Sequence, residues 1–270
     1  MKESRFRTAA VLSTVAIGLA LSAIPANASP LDLPTVVMVH GAWADTSSWD
    51  SEISALQSRG FQARAITNPL RDLNGDAESV ATFVRSIDGP VVLVGHSYGG
   101  SVISQAAQNC PNVRALVFVD AYLPEPGESA SMLNGQGSAL TESPEEQLFD
   151  KVPNPNGRPG VVDLLLKHNV FLESFASDIP AERADTLWAT QRATSTAAVT
   201  APSTAAAWKT IPSWAFISTE DHIITSASKA FMAQRAGATV TTFEGGSHLS
   251  LISHPDAVVA VIESAATAVS

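Results

Sequence analysis

The sequence predicts an α/β protein: a mostly parallel, doubly wound sheet of about six strands, with an inserted helical cap. From Thr35 onward, short β-branched segments alternate with segments of helical spacing, which is typical of a parallel sheet covered by helices. Between about residues 124 and 210 this alternation stops, and helical pieces follow one another without a convincing strand. We therefore expect one domain over residues 29–270, with a helical cap inserted at about 124–210.

Six segments are short and rich in β-branched or aliphatic residues, as expected for strands buried on both faces. They are Thr35–Val39, Phe61–Ile66, Val91–Val94, Val113–Val119, Trp214–Ser218 and Thr239–Phe243. Helices are predicted between them at Ser48–Arg59, Asp76–Ile87, Gly100–Ala107 and Ser226–Ala236, and from His254 to about Ala268. Within the cap, helical pieces are predicted at Glu145–Lys151, Val161–Ser177 and Ala181–Thr194.

The N-terminus has the pattern of a removable signal peptide over residues 1–28. Three basic residues lie within the first seven positions, Thr8–Ile24 is uncharged and mostly apolar, and Ala26–Ala28 forms a small-residue cleavage site. A membrane anchor is the alternative, but the apolar run is short for a span. We expect cleavage before Ser29, export from the cell, and no stable membrane anchor afterwards.

Charge and cysteine content narrow the classes of function. The chain has 26 acidic and 16 basic residues and a net charge of −10, which argues against nucleic acid or an anionic membrane as a partner. Cys110 is the only cysteine, so no intramolecular disulfide can form, and we expect this thiol to be buried. The metal-binding motifs HExxH and paired CxxC are absent, so we predict no metal and no cofactor. The oligomeric state stays open.

The most informative motif follows the third predicted strand. Gly95–Gly99 reads G-H-S-Y-G and is followed by a helix-compatible stretch. In that context the pattern predicts a nucleophile elbow, in which a strained turn presents Ser97. Gly95 and Gly99 are then glycine because the turn leaves no room for a Cβ atom. The alternative is an ordinary glycine-rich turn in which Ser97 caps the helix.

A serine nucleophile needs a histidine base that is oriented by a carboxylate. His248 is the predicted base, because it follows the last strand after two flexible glycines. The other five histidines fit less well. We expect His40 and His96 to make structural hydrogen bonds and His254 to cap a helix, while His168 lies in the cap and His222 precedes the last strand.

The acid should follow the strand before that of the base, because the expected chain order is serine, acid, histidine. Asp221 occupies this position. Glu220 beside it and Asp120, at the end of an earlier strand, remain alternatives. For the oxyanion, the predicted backbone N–H donors are those of Tyr98, directly after the nucleophile, and Ala42, in the turn after the first strand.

Aromatic and apolar residues near these positions are candidates for the substrate pocket. They are Trp43, Tyr122, Met132, Phe171, Trp188 and Trp208. For each of them ordinary packing inside the protein is the competing explanation.

With these motifs the chain resembles serine hydrolases of the α/β-hydrolase superfamily. The resemblance rests on His40–Trp43, Gly95–Gly100, the Glu220-Asp221 turn and Gly246–His248. It is similar to the branch that contains plant hydroxynitrile lyases, methylesterases and bacterial esterases with a short helical cap. The resemblance implies a Ser97–His248–Asp221 triad, oxyanion donors at Ala42 and Tyr98, and a cap that builds the substrate pocket.

Two departures limit the chemistry. Hydroxynitrile lyases of this branch carry lysine after the catalytic histidine, where this chain has Leu249. Epoxide hydrolases and haloalkane dehalogenases use aspartate at the elbow, where this chain has Ser97. We therefore expect a secreted serine esterase that acts on small-molecule esters. The alternatives are another triad-based activity (C–C hydrolase, lyase or cofactor-free perhydrolase) and a catalytically silent ligand-binding protein.

Overall fold

The computed structural model describes residues 33–154 and 158–270, so the predicted signal peptide lies outside the described residues. The strands are β1 (Thr35–Val39), β2 (Ala63–Ile66), β3 (Val91–His96), β4 (Val113–Val119), β5 (Phe149–Pro153), β6 (Val162–Leu166), β7 (Thr194–Ser195), β8 (Ser213–Ser218) and β9 (Thr239–Phe243). The helices are α1 (Asp50–Ser58), α2 (Leu73–Arg85), α3 (Tyr98–Ala106), α4 (Ala139–Glu142), α5 (Glu145–Leu148), α6 (His168–Val170), α7 (Ala181–Ala189), α8 (Thr196–Thr200), α9 (Ser226–Arg235), α10 (Ser250–Ser253) and α11 (Pro255–Ala268).

The main sheet has the order β2-β1-β3-β4-β8-β9, and every neighbouring pair is parallel. Strands β1 and β3 are buried at every residue, because helices cover the sheet, with α3 against β1, β3 and β4 and α11 against β3, β4 and β8. The predicted fold class is confirmed. The strand order reverses between β1 and β3, and in such sheets ligands bind outside the carboxyl ends of the strands at this point.

The segment between β4 and β8 differs from the prediction in its details. It holds an antiparallel sheet of β5, β6 and β7 in addition to short helices. The helix predicted at Val161–Ser177 is wrong over its first part, which is strand β6. Only Leu164 and Leu166 of that strand are fully buried. This spacing of two residues was concealed by the three consecutive leucines at 164–166. The rest of that segment forms α6 and a single π turn at Phe171–Phe175.

Two further features of the described residues bear on the sequence predictions. Cys110 is buried, as predicted, and its thiol lies 3.3 Å from the carbonyl oxygen of Ala106. None of the helices described is both long and apolar enough to cross a bilayer.

Glu52 in α1 is a buried carboxyl group without compensation. Its side chain is completely buried, and neither carboxyl oxygen has a hydrogen-bond partner among the described residues. Burial disfavours the charged form and raises the pKa of Glu52 from 4.5 to about 8. The folded protein therefore keeps a proton that the unfolded chain releases near its lower pKa, so stability falls as the pH rises from about 4.5 to about 8.

We expect Glu52→Gln to stabilise the protein, because the neutral amide cannot ionise. The gain in the free energy of unfolding should be roughly 3 kcal/mol at about pH 7 and should grow from about pH 5 to about pH 8. Urea unfolding across this range measures it. The control is Glu146→Gln, which removes a negative charge from an exposed residue. A gain that is the same at every pH would contradict the expectation.

Candidate active site

Ser97 lies in the tight turn between β3 and α3. Its backbone has φ 52° and ψ −123°, a conformation that side-chain-bearing residues rarely adopt and that is found at functional sites. A Cβ atom on Gly95 would lie 2.5 Å from the carbonyl oxygen of Gly99, and one on Gly99 would lie 2.5 Å from that of Val39. The turn therefore requires glycine at both positions.

We expect Gly95→Ala to destabilise the protein by about 3 kcal/mol or more, because the clash is with backbone atoms that cannot move aside. Thermal unfolding measures the effect. Gly75→Ala is the matched control, since its Cβ atom would approach only the side-chain carboxylate of Asp72, at 3.0 Å. Equal melting temperatures for the two variants would contradict the assigned role of Gly95.

The structure brings together the three residues of the predicted triad. His248 Nε2 lies 2.8 Å from Ser97 Oγ, and His248 Nδ1 lies 2.9 Å from Asp221 Oδ2. Because an ionised carboxylate only accepts hydrogen bonds, Nδ1 carries the proton and Nε2 is left to accept from the serine hydroxyl. This arrangement allows His248 to take the proton of Ser97 as its oxygen attacks.

Asp221 is held ionised inside the protein. Its Oδ1 accepts the backbone N–H groups of Ile223, at 2.7 Å, and Ile224, at 3.0 Å. Burial alone would raise the pKa of Asp221, but the neighbouring His248 and Lys229 outweigh burial and hold that pKa well below its usual range. The carboxylate can therefore fix the histidine ring and stabilise its cationic form.

The two alternative acids lie elsewhere. Glu220 is exposed. Asp120 is buried, but its carboxylate accepts hydrogen bonds from the Ser218 N–H group, the Ser250 hydroxyl and Lys229. Of the three candidate acids, Asp221 is the one that the structure pairs with His248.

Lys229 is a residue of the site that sequence reasoning missed. It belongs to α9, and its side chain is only 1% exposed. Its Nζ donates to Asp221 Oδ2 at 2.8 Å, to the Ser218 carbonyl oxygen at 3.1 Å and to Asp120. A lysine on a surface helix is usually exposed, so the sequence of α9 did not indicate that Lys229 is buried. The available signal was Asp120, an acid at the end of a buried strand that needed a partner.

The other histidines next to the site are neutral. His40 Nε2 accepts the Asn68 N–H group at 3.0 Å, and burial lowers the pKa of His40 to about 4. His96 Nε2 donates to the His248 carbonyl oxygen at 2.8 Å, and burial lowers the pKa of His96 well below its usual value. Both make structural hydrogen bonds, as predicted.

The prediction for His254 is wrong in part. It occupies the N-cap position of α11, but its side chain makes no capping hydrogen bond. The ring instead packs on Phe243 and pairs with Asp178 Oδ2 at 3.2 Å.

The loop after β1 lies directly over the nucleophile. A Cβ atom on Gly41 would lie 2.7 Å from Ser97 Cβ. Ala42 and Tyr98, the two predicted oxyanion donors, line one cavity together with Ser97. The Tyr98 side chain points elsewhere, since its hydroxyl donates to Asp76 at 2.9 Å, so only its backbone is available to a substrate.

Trp43 connects this loop to the cap. Its backbone has φ 57°, its N–H group donates to Thr194 Oγ1 at 3.1 Å, and its indole Nε1 donates to the Leu164 carbonyl oxygen at 3.1 Å. The indole also stacks on Phe149, with ring centroids 5.5 Å apart. All three partners belong to the cap sheet, which therefore holds the residue next to Ala42.

The cavity above Ser97 has a volume of about 270 Å³. Two of the predicted pocket residues, Trp43 and Tyr122, line it. The Tyr122 hydroxyl donates to Asn134 Oδ1 at 2.7 Å, which places a polar pair in a largely apolar wall. The apolar lining includes Ala130, Leu140, Leu148, Phe149, Leu164 and Val199.

The structure does not bring the other four predicted pocket residues to this cavity. Met132 is 69% exposed, and Phe171 is buried against Phe175. The indole N–H groups of Trp188 and Trp208 donate to the carbonyl oxygens of Leu166 and Pro124. Ordinary packing explains Phe171, Trp188 and Trp208: Phe171 packs on a neighbouring ring, and the indole N–H groups of half-buried Trp188 and buried Trp208 each have a backbone acceptor. In residues 33–154 and 158–270, no group of three His, Cys, Asp or Glu side chains is arranged to hold a metal ion.

Several known proteins resemble this chain. A sequence model described as "Alpha/beta hydrolase family" matches residues 36–261. A carbendazim hydrolyzing esterase from Nocardioides sp. (strain SG-4G) is 34% identical over 110 residues, which cover 36% of this chain and 46% of that protein. A pyrethroid hydrolase from Sphingobium wenxiniae is 27% identical over 142 residues, 48% of this chain and 45% of that protein. The chain thus spans less than half the length of these curated relatives.

Among solved structures, polyneuridine aldehyde esterase superposes with a TM-score of 0.72 at 19% identity, covering 86% of this chain and 98% of that chain. At this identity the similarity shows the fold alone.

Proposed function

The chain belongs to the α/β-hydrolase family, and we propose that it is a serine hydrolase that cleaves carboxylic esters of small or apolar alcohols and acids. The observation that carries the proposal is the continuous hydrogen-bonded path from Ser97 through His248 to Asp221. The relatives named as esterase and hydrolase support the same reaction class.

In the first half of the reaction, Ser97 Oγ attacks the ester carbonyl carbon while His248 Nε2 takes the hydroxyl proton. The N–H groups of Ala42 and Tyr98 would hold the negative oxygen of the tetrahedral intermediate, and each such donor is worth about 10²-fold or more in rate. His248 then gives its proton to the leaving alcohol. The acyl group stays on Ser97 as an ester.

In the second half, His248 takes a proton from water, and the resulting hydroxide attacks the acyl carbon. Collapse of the second tetrahedral intermediate releases the carboxylic acid and returns the proton from His248 to Ser97 Oγ. Asp221 keeps its charge throughout, as the depressed pKa of its carboxyl group requires.

The cavity supports a small, uncharged substrate. Its walls are mainly apolar, and the carboxyl group of Glu145 in its lining is paired with Lys151 at 2.6 Å. The Tyr122–Asn134 pair is one polar feature of this lining, and Ser131, Ser143, Thr196 and Thr200 are others.

The proposal is tested by hydrolysis of nitrophenyl esters from acetate to dodecanoate, together with labelling of Ser97 by a fluorophosphonate. We expect turnover that falls once the acyl chain exceeds the cavity, and a single adduct on Ser97. Labelling without turnover of any ester would indicate another reaction on the same triad. Absence of both would indicate a silent binding protein.

Secretion is part of the proposal and is supported by the signal-peptide pattern of residues 1–28. The mass and N-terminal sequence of the exported protein test it. We expect a mature chain that begins at Ser29. Retention inside the cell with the leader attached would contradict it.

A further inference from the structure

Behind the triad lies a second charged group that the ester-cleaving steps do not use. The side chains of Lys229 and Asp120 are 1% and 0% exposed, and the two residues form an ion pair with each other. Lys229 Nζ also donates to Asp221 Oδ2, the oxygen that accepts from His248. One carboxylate oxygen therefore joins the histidine to the lysine.

This arrangement is costly to build. Burying a lysine and two carboxylates is unfavourable unless they pair closely, and Asp120 additionally has a backbone φ of 42°. The hydrogen-bond partners of Asp120 and Lys229 come from four elements: the ends of β4 and β8, and helices α9 and α10. Asp120 accepts from the Ser218 N–H group at 2.8 Å and from the Ser250 hydroxyl at 2.5 Å. Strained and buried charged groups of this kind cluster at functional sites.

We propose that Lys229 and Asp120 are positioning residues that shift, in opposite directions, the pH range in which His248 works as a base. This inference rests on the proposed function in taking His248 as the general base. Lys229 draws negative charge from Asp221 and so disfavours the cationic form of the His248 ring. The negative charge of Asp120 favours the cationic form of the His248 ring, so the effects of Lys229 and Asp120 on the titration of His248 partly cancel.

The distances make the coupling direct. Lys229 Nζ and His248 Nδ1 lie 2.8 and 2.9 Å from the same Asp221 oxygen, so they are less than about 6 Å apart. Burial alone would lower the pKa of Lys229, but Asp120 and Asp221 outweigh it and raise that pKa. The lysine is therefore charged across the working range, and charges at this separation in a buried site shift a titration by about 1 pH unit or more.

Two ionisable rings near His248 and Asp221 carry no charge in this range. His96 packs against it with ring centroids 4.9 Å apart, and its own pKa is lowered well below its usual value by burial. Tyr122 is near Asp221, and burial raises the pKa of its hydroxyl.

One further carboxylate lies beside the residue that precedes His248. Burial alone would raise the pKa of Asp178, but hydrogen bonds from Ser247 and Ser253 outweigh it and hold that pKa below its usual value. Asp178 is therefore charged and stays the same in every variant below, so the charges that the variants change near His248 are those of Lys229 and Asp120.

The test follows the titration of His248 in full-length protein by NMR, with ¹⁵N-labelled histidine and Asp120→Asn, Lys229→Gln and the double variant. Lys229→Gln should raise the His248 midpoint and Asp120→Asn should lower it, each by about 1 pH unit. The double variant removes one charge of each sign and should return the midpoint to within about 0.5 unit of the native value. Lys209→Gln, which removes an exposed lysine paired with Glu125, should leave it unchanged.

The acid limb of kcat/KM for nitrophenyl acetate should move in the same directions. A purely structural pair would lower stability in both single variants and leave the midpoint where it is, and this result would overturn the proposal. Shifts of both single variants in one direction would overturn it as well. If Lys229→Gln does not fold, Asp120→Asn and the charge-balanced double variant decide.

The NMR titration needs no substrate, so the two proposals can fail separately. Opposite shifts of the His248 midpoint in the two single variants, without ester turnover, would contradict the proposed function alone. Ester turnover with an unchanged His248 midpoint in all variants would contradict the role of Lys229 and Asp120 alone.

Discussion

Replacing Ser97 with alanine should lower kcat/KM for ester hydrolysis by ~10⁴-fold or more. The variant keeps the cavity and the loop after β1 but has no atom that can form the acyl intermediate. Its residual rate is that of water attack aided by the backbone donors alone. A loss of this size is measured with nitrophenyl acetate under conditions of excess enzyme.

Ser104→Ala is the matched control for this substitution. Ser104 lies in the same helix that follows the nucleophile, is completely buried, and its hydroxyl has no hydrogen-bond partner among the described residues. Removing it should leave kcat/KM within about twofold of the native value. Full activity in Ser97→Ala, or an equal loss in both variants, would refute the assignment of Ser97.

Asp221→Asn should lower kcat/KM by on the order of 10⁴-fold. The amide is nearly isosteric, but it can turn its NH₂ group toward His248 Nδ1 and favour the tautomer that carries a proton on Nε2. That nitrogen could then no longer accept the proton of Ser97. The loss should appear in kcat, since the cavity that binds the substrate is unchanged.

Glu220→Gln is the control for the acid. It removes the neighbouring carboxylate, which is exposed, and should leave kcat/KM within about twofold. A large loss of kcat/KM in Glu220→Gln, with activity retained in Asp221→Asn, would show that Glu220 and not Asp221 is the acid of the triad.

The main sheet and the triad could be predicted because both follow from local patterns. Short β-branched strands alternating with helices impose a parallel sheet, and a parallel sheet gathers the residues after its strands at one edge. Ser97, Asp221 and His248 each follow a strand, so their chain order was enough to place them together. No comparable rule exists for the residues that surround them.

The cap and Lys229 could not be predicted, for two physical reasons. The apolar run ending at Leu166 has the composition of a helix or a strand, and only its pairing with β5 and β7 decides between them. Lys229 is buried through contacts with residues far away in the chain, 109 positions away in the case of Asp120. Long-range pairing of charges leaves no trace in the spacing of a single helix.

The contacts between Trp43 and the cap limit which residues of the cap can change during evolution. Of its two hydrogen bonds to the cap, one uses the backbone carbonyl of Leu164 and the other uses the side chain of Thr194. A carbonyl is present whatever the residue, so the cap side chains whose identity matters to these contacts are Thr194 and the stacked ring of Phe149. The cap sequence can therefore change at other positions without loss of these contacts to the loop that carries Ala42.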